Sequence, residues 1–505
     1  MELGSEYPWP EGWEREPEEG KPGEGGGKAL SEPFAYEDRL LVFSGRTAIE
    51  QVLKDIRGRK KAFLPSYCCQ SMIDPFLRSG RDVCFYGVNV REGRLDIWLE
   101  IPKEAGILLW CSYFGFSHRF PGEEIERFRR RGGIVIEDIT HSFLSERPVW
   151  TGGDYYIASL RKWGPMVCGG AAYKREGRFV NRELSRPSEW LLKTKESAMR
   201  RKRAYLLGGN EEEKGVKEVF LEEYGAADRY FDECYEGKGM DETSLALTGV
   251  WYSEKTRTRR RENAGILYKA LKGAEKLEFL FPEEEADCPL FVPVLIKGGQ
   301  RDRLRRRLAE RGIYCPAHWP RPAGDGAVSN LYGTELSLIC DQRYGQEEIK
   351  RMAEAVKEEL EIVSLTEGNR GGYRTQVSFI MGQLYRLEHG REDPGCGERR
   401  FSQLSGYMDR GKAVCRLVLA DGVPRGYIWF FPISEGRLHV NELAVEERYR
   451  GRGLGRMLIE EAYRYAGEKD LKEVELFVRE SNREAEGFYR SQGFGTERKL
   501  MVRTV

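Results

Sequence analysis

The sequence contains no CxxC pair, and its eleven cysteines form an odd, scattered set in which Cys68 and Cys69 are the neighbours. That spacing excludes a disulfide framework and a cysteine-based zinc site, and it fits a reducing, cytoplasmic setting. No metal centre is expected. Net charge is also missing, because 82 Lys and Arg balance 82 Asp and Glu. No basic stripe is left over for nucleic acid. The local runs RRKR (200–203) and RTRRREN (257–263) read as solvated helix faces. Long apolar stretches are absent too. AGILLWCSYFGF, the longest, is too short to cross a bilayer and reads as a buried strand running into a loop. The opening MELGSEYPWPEGWEREPEEG has neither the basic nor the apolar region of a signal peptide. No internal repeat is visible, and no membrane partner is expected.

The 505 residues call for two or three domains. Residues 1–27, ending in KPGEGGGK, read as a poorly ordered lead-in. Over 28–365, the strand-like runs KAFLPSY, RDVCFYGV, AGILLWCSY, GGIVIED and GDYYIASL alternate with helical patterns such as AIEQVLKDI and EEIERFRRRG. This alternation predicts an α/β unit: a mostly parallel sheet with helices on both faces. A helical stretch from about 180 to 275 and a small α+β cap follow. The cap is read from LFVPVLIKG, RDRLRRRLAERG, GIYCPAHWP and QEEIKRMAEAVKEEL. The Gly-rich polar segment 366–375 reads as a linker. Residues 376–505 restart the pattern with hairpin-like strands, a helix, a strand and a second helix, a mixed α/β domain of ordinary size.

Two motifs carry chemistry. In the first, Asp138 ends an apolar strand, His141 follows it, and Ser159 and Lys162 end the next strand ahead of Gly169–Gly170. Ligands of open α/β sheets bind beyond the carboxyl ends of strands. A lysine there can form a Schiff base with pyridoxal 5'-phosphate (PLP), and a carboxylate can hold the pyridinium nitrogen protonated. His141 can reach the cofactor's phenolic oxygen or pack on its ring, and it equally fits a core histidine. Ser44, Gly45, Arg46 and Thr47 open a helix, where free N–H groups and hydroxyls can hold a phosphate or simply cap the helix.

The series SGRTAI, LPSYCCQSMIDPF, EDITHSF, SLRKWGP…GG and GIYCPAHWP resembles the DegT-type sugar aminotransferases of PLP fold type I over residues 28–365. The resemblance implies that Lys162 is the Schiff-base lysine and that Asp138 and His141 hold the ring. It likewise implies that Ser159, Gly45, Arg46 and Thr47 bind the phosphate, and that the enzyme is a homodimer. The chain departs from the family in its short Ser159–Lys162 spacing, in CGG where a Gly-Asp-Gly-Gly stretch is usual, and in lacking an Asn-Tyr-Arg motif near GKGMDETS.

The second motif is Arg450, Gly451, Arg452, Gly453, Leu454 and Gly455 between a strand and a helix, with Asn482 and Tyr489 downstream in VELFVRESNREAEGFYRSQGF. Glycines and helix-start N–H groups can approach a pyrophosphate. Together the two halves resemble the GNAT acetyltransferases. That implies acetyl-CoA on Arg450 through Gly455 and on Asn482, with Tyr489 as the acid that protonates the leaving thiolate. Glu442, on NELAV, fits a base or a solvent-facing strand carboxylate; His439 is an alternative base.

The joint expectation is an enzyme that transaminates a keto sugar, nucleotide-linked, with glutamate as amino donor, and then N-acetylates the new amine. Two other readings stay open. One is an aminotransferase for a small non-nucleotide carbonyl beside an independent acetyltransferase. The other is a PLP-binding scaffold beside an active GNAT domain.

Overall fold

The computed structural model describes residues 2–11, 35–58, 60–117, 121–146, 152–208, 214–249, 254–274, 276–297, 299–324, 326–420, 422–434, 436–479 and 481–497. The chain forms two compact units, Met1–Val356 and Lys357–Val505.

The first unit opens on β1 (Leu3–Gly4), which pairs in parallel with Ile313–Tyr314. The lead-in expected over 1–27 is therefore packed where it is described. Leu3 and Trp9 are buried, and the Arg200 guanidinium lies 4.2 Å from the centroid of the Trp9 ring. Residues 12–27 lie outside the described residues.

The main sheet is built from β2 (Asp38–Val42), α1 (Gly45–Asp55), β3 (Lys61–Pro65), α2 (Gln70–Arg78), β4 (Val83–Arg91), β5 (Arg94–Trp98), β6 (Ala105–Cys111), α3 (Gly122–Arg130), β7 (Ile134–Asp138), β8 (Tyr155–Ser159) and β9 (Gly170–Lys174). Its eight strands run in the order β2-β9-β8-β7-β6-β3-β4-β5. The inner pairs β4/β3, β3/β6, β6/β7 and β7/β8 are parallel, whereas β5, β9 and β2 join antiparallel. Near-continuous apolar runs such as AGILLWC form the central strands because such strands are covered on both faces. Each fully buried Val, Ile or Leu contributes about 1.5–3 kcal/mol.

Helices α4 (Glu189–Gly208), α5 (Lys214–Glu233), α6 (Glu242–Thr248) and α7 (Glu254–Leu271) follow. Met199 of α4 and Phe220 and Phe231 of α5 share a core with Tyr156, Ala171 and Tyr173 of the sheet. The two charge runs are not solvated throughout. Arg260 is fully buried, donates to the carbonyls of Pro289 and Leu290, and stacks 4.6 Å from the centroid of Trp163. Lys202 and Arg257 are buried as well, each donating to a backbone carbonyl. Buried cations of this kind are stable only with such partners. The cap consists of β10 (Leu277–Phe279), β11 (Val292–Ile296), α8 (Arg301–Glu310), β12 (Ile313–Tyr314), β13 (Glu335–Leu338) and α9 (Gln346–Glu361), with an antiparallel sheet β10-β11-β13.

The second unit has β14 (Ile362–Ser364), α10 (Glu367–His389), α11 (Cys396–Asp409), β15 (Val414–Ala420), β16 (Val423–Ser434), β17 (Arg437–Val445), α12 (Leu454–Glu468), β18 (Glu473–Leu476) and α13 (Arg483–Ser491). Its five strands run β14-β15-β16-β17-β18, antiparallel except for β17/β18. Helices α10 and α11 cover one face and α12 the other. The expected linker at 366–375 is instead the start of α10. Asn369 Oδ1 accepts the Thr366 N–H at 2.8 Å, and Val377, Ile380 and Met381 anchor the helix in the core. Because β14 already pairs with β15, the boundary between units falls before residue 365. All eleven cysteines are free thiols, and among the described residues no helix is long and apolar enough to cross a membrane.

Candidate active sites

In the first unit, the sheet brings the carboxyl ends of β3, β6, β7, β8 and β2 to one edge. Ser159 pairs with Gly170, and Val42 also pairs with Gly170, so the start of α1 lies beside the end of β8. The packing there is tight against a side chain at Gly45 and has no room for one at Gly170. A Cβ on Gly45 would lie 3.2 Å from Ser159 Cβ, and one on Gly170 would lie 2.2 Å from the Ser44 carbonyl oxygen. The CGG departure from the family pattern thus supplies the glycine that lets the helix start nest against the sheet.

Asp138 ends β7 and is buried. Its Oδ1 accepts the Thr140 N–H at 2.9 Å. Burial raises its pKa, partly offset by the Thr140 hydrogen bonds and by the Lys162 charge. The strand end therefore holds an acid whose hydrogen-bond partners are neutral, and a cationic ring N–H would stabilise its charged form. His141 is buried and held neutral, first by burial and then by the Lys162 charge beside it. Its Nδ1 accepts the Phe114 N–H at 3.2 Å, so the neutral ring carries its proton on Nε2. Nε2 stands 3.3 Å from Lys162 Nζ. Lys162 ends the short 3-10 turn after β8. Ser159, Asp138, His141 and Lys162 are thus brought together, as their sequence order implies.

The helix start is brought there only in part. Ser44 caps α1 by accepting the Thr47 N–H. The Thr47 hydroxyl is fully buried and donates to Tyr235 O at 2.9 Å, and the Arg46 guanidinium pairs with Asp232 at 2.5 Å. What remains for an anion is the pair of first-turn N–H groups of Gly45 and Arg46, with the Ser159 hydroxyl beside them. The residues fit PLP on two counts: a buried acid with no cationic hydrogen-bond partner among the described residues, and a glycine cradle at a helix N-terminus.

Two residues of GIYCPAHWP, outside the candidate site residues, complete this enclosure. The Trp319 ring stacks on His141 with centroids 5.4 Å apart, and His318 stands edge-on to the same imidazole at 5.4 Å. Their segment GIYCPAHWP is visible in the sequence, but about 180 residues separate it from His141 and nothing local links the two.

In the second unit, β17 and β18 pair from Arg437/Glu473 to Val440/Leu476, and among the described residues β17 then continues to Val445 paired with β16 alone. The chain turns through Glu447–Tyr449 into the glycine loop. Gly451 and Gly453 have φ of 73° and 81°, a left-handed conformation that favours glycine. Gly453 caps α12 with no side-chain hydrogen bond, which leaves the first-turn N–H groups for a ligand. Gly455 acts differently. A Cβ there would meet the Phe488 ring at 3.3 Å, so this glycine seats α13 against α12. Leu454 is buried in the core, and any contact from it would come from its backbone. Arg450 Nε donates to Val445 O, and Arg452 lies over the Tyr449 ring. Asn482 caps α13 by accepting the Ala485 N–H at 3.1 Å.

Tyr489, on α13, packs against Phe488 and Phe494, and burial pushes its phenol up to about 12. It stays protonated at neutral pH and can act as a donor. Glu442 is not solvent-facing. Tyr427 donates to its Oε2 at 2.8 Å, Arg400 Nη1 lies 3.5 Å from Oε1, and the carboxylate borders a cavity of about 420 Å³. Tyr407, Lys412, Trp429 and Phe431 also line that cavity. His439 faces the same side of the sheet, with Nδ1 3.1 Å from Glu475 Oε1.

Residues 381–494 match the model of the Acetyltransferase (GNAT) family, and this part of the chain is a GNAT domain. An uncharacterized N-acetyltransferase of Methanocaldococcus jannaschii is 33% identical over 109 residues, 20% of this chain and 46% of that protein. Another, from Archaeoglobus fulgidus, is 33% identical over 91 residues, 17% of this chain and 62% of that protein. The chain thus spans less than two thirds of the length of either curated relative. Among solved structures, the Helicobacter pylori aminotransferase PseC, involved in pseudoaminic acid biosynthesis, superposes with a TM-score of 0.45. It is 14% identical, over 65% of this chain and 88% of that one.

Proposed function

We propose that the chain is a bifunctional enzyme: a PLP-dependent aminotransferase in the first unit and an acetyl-CoA-dependent N-acetyltransferase in the second. The observation that carries the first half is the convergence of Lys162, His141 and Asp138 on one sheet edge, beside the Gly45–Gly170 cradle. The GNAT match and the glycine loop at the start of α12 carry the second half. Each substrate and donor assignment belongs to this proposal: a keto sugar, nucleotide-linked, as acceptor of the amino group, glutamate as donor, and the resulting amine as the acetyl acceptor. So do a homodimeric assembly and a cytoplasmic setting, the latter supported by the eleven free thiols.

When bound, PLP supplies the electron sink that makes an amino-acid Cα–H acidic. The chain's own residues do the rest. Asp138 pairs with the ring nitrogen, and its burial keeps water from screening that charge. His141 offers Nε2–H to the ring oxygen, and Ser159 with the first-turn N–H groups of α1 receives the phosphate. The Lys162 amine would hold the cofactor and would accept the proton of the amino-acid Cα. In the second unit, Glu442 accepts the acceptor's ammonium proton, and Arg400 and Tyr427 fix its position. The first-turn N–H groups of α12 and the Asn482 side chain hold the acetyl-CoA side. Tyr489 protonates the departing thiolate, a role its raised pKa allows.

The test supplies PLP, glutamate, acetyl-CoA and a panel of nucleotide-linked keto sugars, and follows products by mass spectrometry. An N-acetylated amino sugar is expected, formed only when both donors are present. Acetylation confined to amines unrelated to the transamination product would refute the sequential reading.

A further inference from the structure

A buried chain of polar groups runs from the cap to the imidazole pair at Lys162. Glu335, on β13, is fully buried. Its Oε2 accepts the His318 N–H at 2.7 Å and the Tyr67 hydroxyl at 3.3 Å, while its Oε1 accepts the Ser337 hydroxyl at 2.5 Å. Ser337 Oγ is in turn 2.7 Å from His318 Nδ1. His318 stands edge-on to His141, whose Nε2 faces Lys162. We infer that Glu335 is a positioning residue for the Lys162 site, acting through Ser337 to set which nitrogen of His318 carries the ring proton.

The hydrogen-bond directions leave two arrangements. With Glu335 ionised, Ser337 donates to the carboxylate and accepts from Nδ1–H of His318, so Nε2 is a bare acceptor. With Glu335 protonated on Oε1, the acid donates to Ser337 and Ser337 donates to Nδ1, so the ring proton sits on Nε2. His318 itself stays neutral, because burial and the Lys162 charge hold its pKa well below the usual range. Protonation in the cap is thereby passed to the far edge of the His318 ring without adding charge beside Lys162.

Burial moves the Glu335 pKa up to about 7, against the Ser337, His318 and Tyr67 hydrogen bonds and the Arg301 charge. The exchange therefore falls in the working pH range of a histidine-like switch. The groups facing Glu335 are Tyr67, Arg301, Ser337, His318 and the Cys315 thiol. Burial drives that thiol and the Tyr67 phenol upward, so both remain neutral across this range. Around His318 the titratable groups are Lys162 and His141. The link to catalysis rests on the aminotransferase proposal. The link between Glu335 and His318 does not.

The chain contains five histidines, which makes selective 15N-histidine labelling tractable. His318 signals are assigned by their loss in His318→Asn. Between about pH 5.5 and 8.5 the two ring nitrogens of wild-type His318 should exchange protonated and bare shifts, with a midpoint near that of Glu335. Glu335→Gln keeps the volume. Its carbonyl takes the His318 N–H and its amide faces Ser337, so the proton should stay on Nε2 at every pH. Ser337→Ala should also abolish the exchange. No exchange in the wild type, or exchange that survives in either variant, overturns the inference. With PLP and glutamate added, the half-reaction of Glu335→Gln should lose the inflection that the wild type shows near neutrality; an unchanged profile refutes the catalytic link. Covalent retention of PLP, compared in the wild type and Lys162→Ala by mass, reports separately on the aminotransferase proposal.

Discussion

Glu137 and Asp138 are adjacent in sequence and point to opposite faces of the same strand, and burial acts on both. Glu137 is nearly inaccessible, accepts one hydrogen bond from the Ser112 hydroxyl at 3.0 Å, and leaves Oε2 without a partner. Burial, aided by the Asp138 charge, pushes its pKa up to about 8. Glu137 is therefore a neutral acid near pH 7, and Asp138 is the carboxyl of this strand end that lies within the field of Lys162. The stability consequence has a definite sign. A carboxyl whose folded pKa exceeds its unfolded value stabilises fully below about 4.5, and that contribution is lost as pH rises toward 8. Glu137→Gln removes the titration. Its stability relative to wild type should be near zero at low pH and grow to several kcal/mol, about 4 by linkage, in favour of the variant near pH 8. Urea unfolding of both chains at several pH values measures this, and a difference that does not change with pH would refute it.

At the scale of elements, the helix start of α1 and the hairpin-like pairing of β8 with β9 form one joint. Its tolerance is set by Gly170, where a Cβ would press on the Ser44 carbonyl and on Gly45 N, backbone atoms that cannot swing away. Gly170→Ala should cost about 1–3 kcal/mol and weaken PLP binding at least about tenfold, since the joint must open. Gly215→Ala, in α5 with open space around it, should leave both properties within error. Titration of the cofactor absorbance and thermal unfolding provide the two readouts. What is legible in the sequence divides along the same lines. Asp138, His141, Ser159 and Lys162 converge because two neighbouring parallel strands end within a short stretch of chain, a relation suggested by their order in the sequence and by the family resemblance. The commitments of Arg46 and Thr47 to Asp232 and Tyr235 are not legible, since those partners lie some 186–188 residues away. The start of α10 reads as a linker because GNRGGYRT has poor helix propensity. The burial of Val377 and Ile380 further along the same helix overrides that preference. Residues 2–11 read as poorly ordered from their acidic, Pro-rich composition, although Trp9 and Tyr7 are held by the guanidinium groups of Arg200 and Arg343.

For the whole molecule, the open question is what one chain gains from carrying both sites. On the proposed sequence of reactions, an amine released by the first unit is the substrate of the second, and covalent linkage sets a finite effective concentration whatever the arrangement of the units. Point variants separate the steps without cutting the chain. Lys162→Ala should abolish transamination and leave acetylation of added amine intact. Tyr489→Phe should lower acetyl transfer by about 10²–10⁴-fold, the usual contribution of a positioned acid, while acetyl-CoA affinity changes little. An equimolar mixture of these two chains then has one working site of each kind per pair, joined only through bulk solution. At matched concentrations of working sites, the wild type should reach steady N-acetyl product formation after a shorter lag than the mixture. Dilution should lengthen the lag of the mixture more. Equal lags at every dilution would mean that the intermediate equilibrates with solvent before acetylation, and that linkage serves co-expression of the two activities rather than transfer between them.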